Sequence, residues 1–177
     1  KIRVGFVLRQ VGWLGGVNYF RNLFMALNAD KDSSISPVIF TGFKSDVSAF
    51  EGLIEIVRTS YLDHRTLPWF LSRIINKIFF GRDYLLFLLL VKKRITLISH
   101  YHVLWKGCSI QSMGWIPDFQ HVHLPNFFSK EECLNRDKHF LDLIKKSNAI
   151  IVSSQDSKKD LNQFFPDNTT PIHVLNF

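Results

Sequence analysis

Apolar residues along the chain fall into two patterns, short continuous runs and stripes with helical spacing. The first run, residues 2–8, is β-branched and aromatic with almost no polar alternation, which is typical of a strand buried on both faces of a parallel sheet. Between Val17 and Leu27, apolar side chains then recur three and four positions apart, which predicts a helix. The chain therefore begins with a strand, a glycine-containing turn and a helix.

The same alternation continues to the last residues. Further strands are predicted at residues 36–42, 53–57, 94–100, 109–117, 148–154 and 171–177, with helical segments at 68–91, 130–147 and 155–165. Ser129 and Glu132 predict a capping box, and Ser153 or Ser154 is the expected cap of the last helix, with Asp156 in its first turn. Strands that alternate with helices predict an α/β fold, a Rossmann-like parallel sheet with helices on both faces, as one domain over residues 1–177.

The first turn is a candidate anion site. Gly15 and Gly16 are expected at a helix N-terminus, where free backbone N–H groups and the helix dipole favour a phosphate or carboxylate. The alternative is that the glycines only permit a tight turn. With Gly12 the spacing is Gly-x-x-Gly-Gly, and the second strand ends without an acidic residue, so a nicotinamide dinucleotide site is disfavoured. The absence of Gly-Lys-Ser/Thr excludes a P-loop.

Polar residues collect where the predicted strands end. Ligands of parallel α/β sheets bind beyond the carboxyl ends of the strands, so the loops after Leu8, His100, Pro117 and Ser153 are expected to line one crevice. The candidate side chains there are Arg9, Gln10, His100, Tyr101, His102, Asp118, His121 and His123. The histidines are candidates for acid/base chemistry or for sugar and phosphate contacts, and each could instead be a structural hydrogen-bonding residue. A metal is disfavoured, because His121 and His123 alternate in a predicted loop or short strand without a third ligand.

The net charge of +7 indicates an anionic partner. Nucleic acid is disfavoured because the basic residues are scattered and no binding signature accompanies them. An anionic membrane surface is another candidate: the spacing in residues 67–83 predicts a basic amphipathic helix with Arg73 and Lys77, and Lys92 to Arg94 follow. The alternative is a crossover helix packed on the sheet. The longest apolar run, residues 84–91, is too short to span a bilayer.

The two cysteines lack the spacing of a metal site or a disulfide framework, and no signal peptide is recognised. We therefore predict a reduced, cytoplasmic protein that is soluble or peripheral at the inner face of the membrane.

Three stretches carry a resemblance to a known family. The segments "GGVNYFRNL", "GWIPDFQHVHLPNFFS" and "IIVSSQDSKKDL" resemble, in this order, the N-terminal half of family-4 retaining glycosyltransferases of the GT-B fold, which build bacterial polysaccharides. The resemblance implies two Rossmann-like domains, of which the N-terminal one holds the acceptor and the C-terminal one the nucleotide-sugar donor. No cofactor is implied, since the nucleotide-sugar is a substrate.

The resemblance also implies roles for individual residues. Gly15 and Gly16 would lie near the donor diphosphate, and His121, with Asp118 beside it, would face the transferred sugar. Asn18 would contact sugar or phosphate. His100 and Tyr101 are further candidates for substrate binding. Arg9 and Lys106 are candidates for an acceptor phosphate, with a solvated loop charge as the alternative for Lys106.

One family motif is missing, the pair of glutamates spaced eight apart in the donor domain. We therefore expect the C-terminal donor domain to be absent from this chain, which would be an excised domain or an acceptor subunit. The predicted function is the acceptor-binding half of a glycosyltransferase that transfers a sugar from a nucleotide-sugar to a glycan or lipid-linked glycan. The alternatives are a non-catalytic subunit that recruits its partner to a membrane and a stand-alone nucleotide or phosphosugar binding module.

Overall fold

The computed structural model describes residues 1–8, 14–79, 81–100, 104–105 and 107–176. Seven strands form a parallel sheet in the order β3-β2-β1-β4-β5-β6-β7, with helices flanking it. The strands are β1 (Ile2–Leu8), β2 (Ile35–Thr41), β3 (Glu55–Arg58), β4 (Leu97–Ser99), β5 (Gln111–Ile116), β6 (Ala149–Val152) and β7 (Ile172–Val174). The helices are α1 (Leu14–Ala29), α2 (Leu67–Ile78), α3 (Tyr84–Lys92), α4 (Gln120–His123), α5 (Lys130–Lys146) and α6 (Gln155–Phe164). The predicted Rossmann-like α/β fold is confirmed.

The chain divides into two compact units. The first unit contains residues 1–99 and 107–110, and the second contains residues 100–106 and 111–176. In the first unit, Phe6 packs edge-on against Phe24 of α1 at 5.0 Å between ring centroids. A Cβ atom at the neighbouring Gly5 would lie 3.4 Å from Cδ2 of Leu90 on α3. Because successive residues of a strand face opposite sides, α1 and α3 cover opposite faces of β1.

The core of the second unit lies on one face of its strands. Ile116 of β5 is paired with Val152 of β6, and Ile150 lies two residues earlier on the same face of β6. These three side chains pack into one buried cluster. The helices contribute Phe140, Leu143 and Ile144 from α5 and Leu161 from α6. Both helices therefore cover the same face of this part of the sheet.

The predicted caps of α5 and α6 are confirmed. Ser129 and Glu132 form a reciprocal capping box at the start of α5, with Glu131 and Glu132 in its first turn. The hydroxyl of Ser154, rather than that of Ser153, accepts from the backbone N–H of Ser157 at 3.0 Å at the start of α6. Both caps are local patterns, which is why the sequence alone identifies them.

Two predicted boundaries are wrong. The helical segment at residues 68–91 is two helices, because Gly81 adopts a φ of +78° after α2 and Asp83 caps α3 by accepting from Leu86 N–H at 3.2 Å. The strand predicted at 94–100 is shorter in the structure and contains only the three residues of β4. Arg94 has a φ of +55°, and the N–H of Ile95 donates to the Leu90 carbonyl at 2.9 Å. Residues 93–95 thus close α3 instead of extending the sheet.

Candidate functional site

The segment after β5 turns sharply into a one-turn helix. The carbonyl of Pro117 accepts hydrogen bonds from the hydroxyls of Ser153 and Ser157, which ties the end of β5 to the start of α6. The carboxylate of Asp118 then accepts from the backbone N–H of Gln120 at 3.1 Å. Such a local bond of an aspartate to the backbone two residues on stabilises a turn. The predicted loop or short strand around His121 and His123 is therefore wrong, and both residues lie on α4.

The two histidines of α4 have different environments. Residues two apart on a helix point in nearly opposite directions. The ring of His121 is buried, whereas His123 is exposed and its Nε2 lies 2.9 Å from Asp160 Oδ2. His123 therefore forms a surface pair, and His121 is the histidine with an enclosed setting.

The ring of His121 sits among aromatic side chains and bonds to a carboxylate. The rings of Phe119, Phe128 and Phe140 lie 5.5 to 6.4 Å from it between centroids. Its Nε2 is 2.9 Å from Oδ1 of Asp137 on α5. A carboxylate only accepts, so Nε2 carries the proton. The buried Nδ1 has no hydrogen-bond partner among the described residues.

The carboxylate that bonds to His121 is therefore Asp137 of α5, whereas the role expected for Asp118 at the transferred sugar stays a prediction. Asp118 bonds its own turn, and its carboxylate lies 3.7 Å from the guanidinium of Arg136. Sequence reasoning missed Asp137. A signal was present, because Asp137 falls four positions after Cys133 and three before Phe140, which places the three residues on one side of α5. Cys133 on the same side approaches the His121 carbonyl, with its Sγ at 3.8 Å.

His100, at the end of β4, is a partly buried residue with a left-handed backbone conformation. Its φ is +61°, its N–H donates to the Met113 carbonyl at 3.0 Å, and its ring lies 5.2 Å from that of Trp115. Desolvation by burial lowers the pKa of His100 to about 3. The ring is therefore neutral near pH 7 and offers hydrogen bonds rather than positive charge.

The glycine turn belongs to the first unit. α1 begins at Leu14, so Gly15, Gly16 and Asn18 lie in its first turn, as predicted. Gly16 is buried, while Gly15 and Asn18 are exposed. Six residues named in the sequence analysis lie outside the described residues: Arg9, Gln10, Gly12, Tyr101, His102 and Lys106.

A second feature of the first unit was missed by sequence reasoning. The buried carboxylate of Asp63 accepts from the backbone N–H groups of Phe43 at 3.0 Å and Lys44 at 2.8 Å. The guanidinium of Arg58 donates to the carbonyls of Gly42 and Ser45, each at 3.3 Å. These bonds give the loop after β2 a defined conformation at the carboxyl end of that strand.

Within the described ranges, no group of three or more His, Cys, Asp or Glu side chains is arranged to hold a metal ion. No protein-family model matches the chain, and no curated protein matches it. The family that the three sequence segments resemble, and the roles of the residues that they contain, therefore stay predictions.

Proposed function

We propose that the chain is the acceptor-side half of a glycosyltransferase that moves a sugar from a nucleotide-sugar to a glycan or lipid-linked glycan. The observation that carries the proposal is the buried imidazole of His121, which has an unpartnered Nδ1 and a fixed tautomer at the carboxyl end of β5. The resemblance of the motif around it and the parallel α/β fold support the same function.

His121 would act by accepting a hydrogen bond. With Nε2 bonded to Asp137, the lone pair of the neutral ring is on Nδ1, where a sugar hydroxyl can donate to it. Asp137 orients the ring and makes Nδ1 a stronger acceptor, as carboxylates do for histidines that bind metals. Because Nδ1 is enclosed by aromatic rings, binding requires one of them to move. The half-buried ring of Phe128, which lies under the Arg136 guanidinium, is the candidate.

The transfer also needs stabilisation of a leaving diphosphate. The bond between the anomeric carbon and the diphosphate oxygen breaks with its electron pair on that oxygen, and the acceptor hydroxyl forms the new bond and passes its proton to the departing diphosphate. Free N–H groups in the first turn of α1, at Gly15 and Gly16, would stabilise the charge on the diphosphate. Asn18 would contact a sugar or phosphate oxygen.

The proposal is tested by ligand titration of the full 177-residue chain, observed through the imidazole ¹⁵N resonances of its histidines. We expect a short-chain prenyl pyrophosphate that carries one sugar to shift the His121 Nδ1 resonance. His121→Asn should weaken this binding at least about tenfold, the worth of one hydrogen bond to a buried group. His123→Gln, on the same short helix, is the matched control and should bind as the wild type does.

Three outcomes overturn the proposal. The first is the absence of any shift with the prenyl pyrophosphate. The second is unchanged binding by a folded His121→Asn variant. The third is tight binding of a free nucleotide-sugar by this chain without any response to the prenyl compound, which indicates a phosphosugar binding module instead. Circular dichroism establishes that each variant is folded, and Asp137→Asn provides a second, surface-accessible change at the same site.

A further inference from the structure

Helix α2 exposes its apolar side chains and buries polar ones. Leu67, Ile74 and Ile78, which share one face by their spacing, are 71%, 57% and 66% exposed. On the opposite face, Ser72 and Asn76 are only 5% and 7% exposed. This arrangement is the reverse of a helix that packs its apolar stripe on a core. We call the exposed set Leu67, Phe70, Leu71, Ile74, Ile78 and Phe79 the α2 stripe.

The two inward polar residues have hydrogen-bond partners within α2 and in the turn that follows it. The Ser72 hydroxyl donates to the Trp69 carbonyl at 2.7 Å. The Asn76 amide, with its nitrogen facing the two carbonyls, donates to Ser72 and Arg82 at 3.1 Å each. Rotating the apolar stripe inward would expose these two residues and bury Arg73 or Lys77, which is unfavourable without a partner for the charge.

The charged side chains of α2, Arg73 and Lys77, are both positive, and the flanking Asp63 and Asp83 accept hydrogen bonds from the loop after β2 and from the start of α3. Residues 64–82 contain four basic residues and no acidic one: Arg65, Arg73, Lys77 and Arg82. Arg73 and Lys77 are exposed and lie along one side of the stripe, next to Phe70 and Ile74. The guanidinium of Arg73 also lies 5.2 Å from the ring centre of Trp69. An apolar stripe with a basic border is the pattern of a helix that lies in the headgroup layer of a membrane.

We propose that α2 attaches the protein to an anionic lipid surface, with the α2 stripe in the boundary between headgroups and acyl chains and with Arg73 and Lys77 on lipid phosphates. A helix of 12 residues is about 18 Å long, short of the roughly 30 Å of a bilayer core, so it lies on the membrane. No helix in the described part of the chain could span one. A second copy of the chain fits less well, because an antiparallel two-fold contact through the stripe brings the basic borders of both copies to the same side. This attachment does not depend on the proposed transferase activity.

The test is cosedimentation of the full chain with vesicles, in parallel with the emission of its tryptophans. We expect binding to vesicles of equal parts phosphatidylcholine and phosphatidylglycerol, with a change in tryptophan emission when they are added. Vesicles of phosphatidylcholine alone should bind far less. Arg73→Gln with Lys77→Gln should lower the partition coefficient about thirtyfold, since each basic residue near an anionic surface contributes about fivefold. Ile74→Gln with Ile78→Gln should abolish binding to both vesicles.

Matched controls lie on α5. Lys130→Gln with Lys138→Gln removes the same charge, and Leu134→Gln removes an equally exposed apolar side chain. Both should bind like the wild type. The proposal is overturned if the wild-type chain fails to bind anionic vesicles, or if the α5 charge variant loses as much binding as the α2 charge variant. A dimer in light scattering that Ile78→Gln dissociates would also overturn it, because the stripe would then be a protein interface.

Discussion

Asp137 determines the chemical state of the His121 ring, because its carboxylate can only accept the proton on Nε2. In the ¹⁵N spectrum of the wild-type chain, recorded at a pH where this ring is neutral, we therefore expect a protonated Nε2 and an unprotonated Nδ1. Asp137→Asn should reduce that preference, since an amide both donates and accepts. It should also lower the free energy of unfolding by about 1 to 2 kcal/mol through loss of a hydrogen bond to a charged group.

The control for this change is Asp142→Asn on the same helix. Asp142 pairs with Lys146 on the surface at 2.7 Å, and such exposed pairs contribute little to stability. We expect its unfolding free energy to stay near that of the wild type. A wild-type spectrum in which Nδ1 carries the proton would contradict the assignment of the tautomer.

His100 should make the fold sensitive to acid. Burial lowers its pKa to about 3, while in the unfolded chain the ring titrates near its ordinary value of 6.5. Between these two values the unfolded state binds more protons, so stability falls as the pH decreases. From about pH 7 to about pH 5, this residue should account for about 2 kcal/mol of lost unfolding free energy.

Urea unfolding of His100→Asn at the two pH values measures this contribution. Asparagine tolerates the positive φ of this position, so the variant can keep the backbone conformation. We expect a smaller pH dependence than in the wild type. His173→Asn, at an exposed position of β7, should retain the wild-type dependence. Equal slopes for the wild type and His100→Asn would count against the buried, neutral ring.

At the scale of elements, the break between α2 and α3 depends on one glycine. Gly81 has a φ of +78°, its N–H donates to the Asn76 carbonyl at 2.7 Å, and a side chain there would meet no atom within 4 Å. Gly81→Ala should therefore cost only the conformational penalty, about 1 kcal/mol of unfolding free energy. Gly81→Asn should cost less, because asparagine adopts this conformation more readily. Denaturant unfolding measures both, and an unchanged Gly81→Ala variant would show that the break does not need the positive φ.

At the scale of the whole molecule, each compact unit has its own buried strands. Val38, Ile39 and Phe40 of β2 are fully buried in the first unit, and Ile150 and Val152 of β6 are fully buried in the second. Amide hydrogen exchange should be slowest in these strands, because their exchange needs extensive unfolding. The amides of α2, which has an exposed apolar face, should exchange faster and gain protection on anionic vesicles. Protection of α2 equal to that of β2 in the absence of vesicles would contradict this order.

The features that the sequence predicts well are local. Continuous apolar runs identify β1 and β6, helical spacing identifies α1 and α5, and the caps at Ser129 and Ser154 follow from a few adjacent residues. The parallel α/β class follows from the order of these elements. The position of Gly15 and Gly16 in the first turn of α1 could be predicted for the same reason, since it depends only on the order of strand, turn and helix.

By itself, then, the sequence determined most of the strands and helices and the class of fold that they build, but not the break between α2 and α3 or the helix α4. The tertiary structure decided which side chains meet. His121 pairs with Asp137 from another helix rather than with Asp118 three residues before it, and Arg3 and Lys93 pair with Glu55, at 2.6 and 3.2 Å, across distant parts of the chain. It also decided that the apolar stripe of α2 faces outward. Periodicity shows that a helix has an apolar face, but which face is buried depends on the elements that pack beside it.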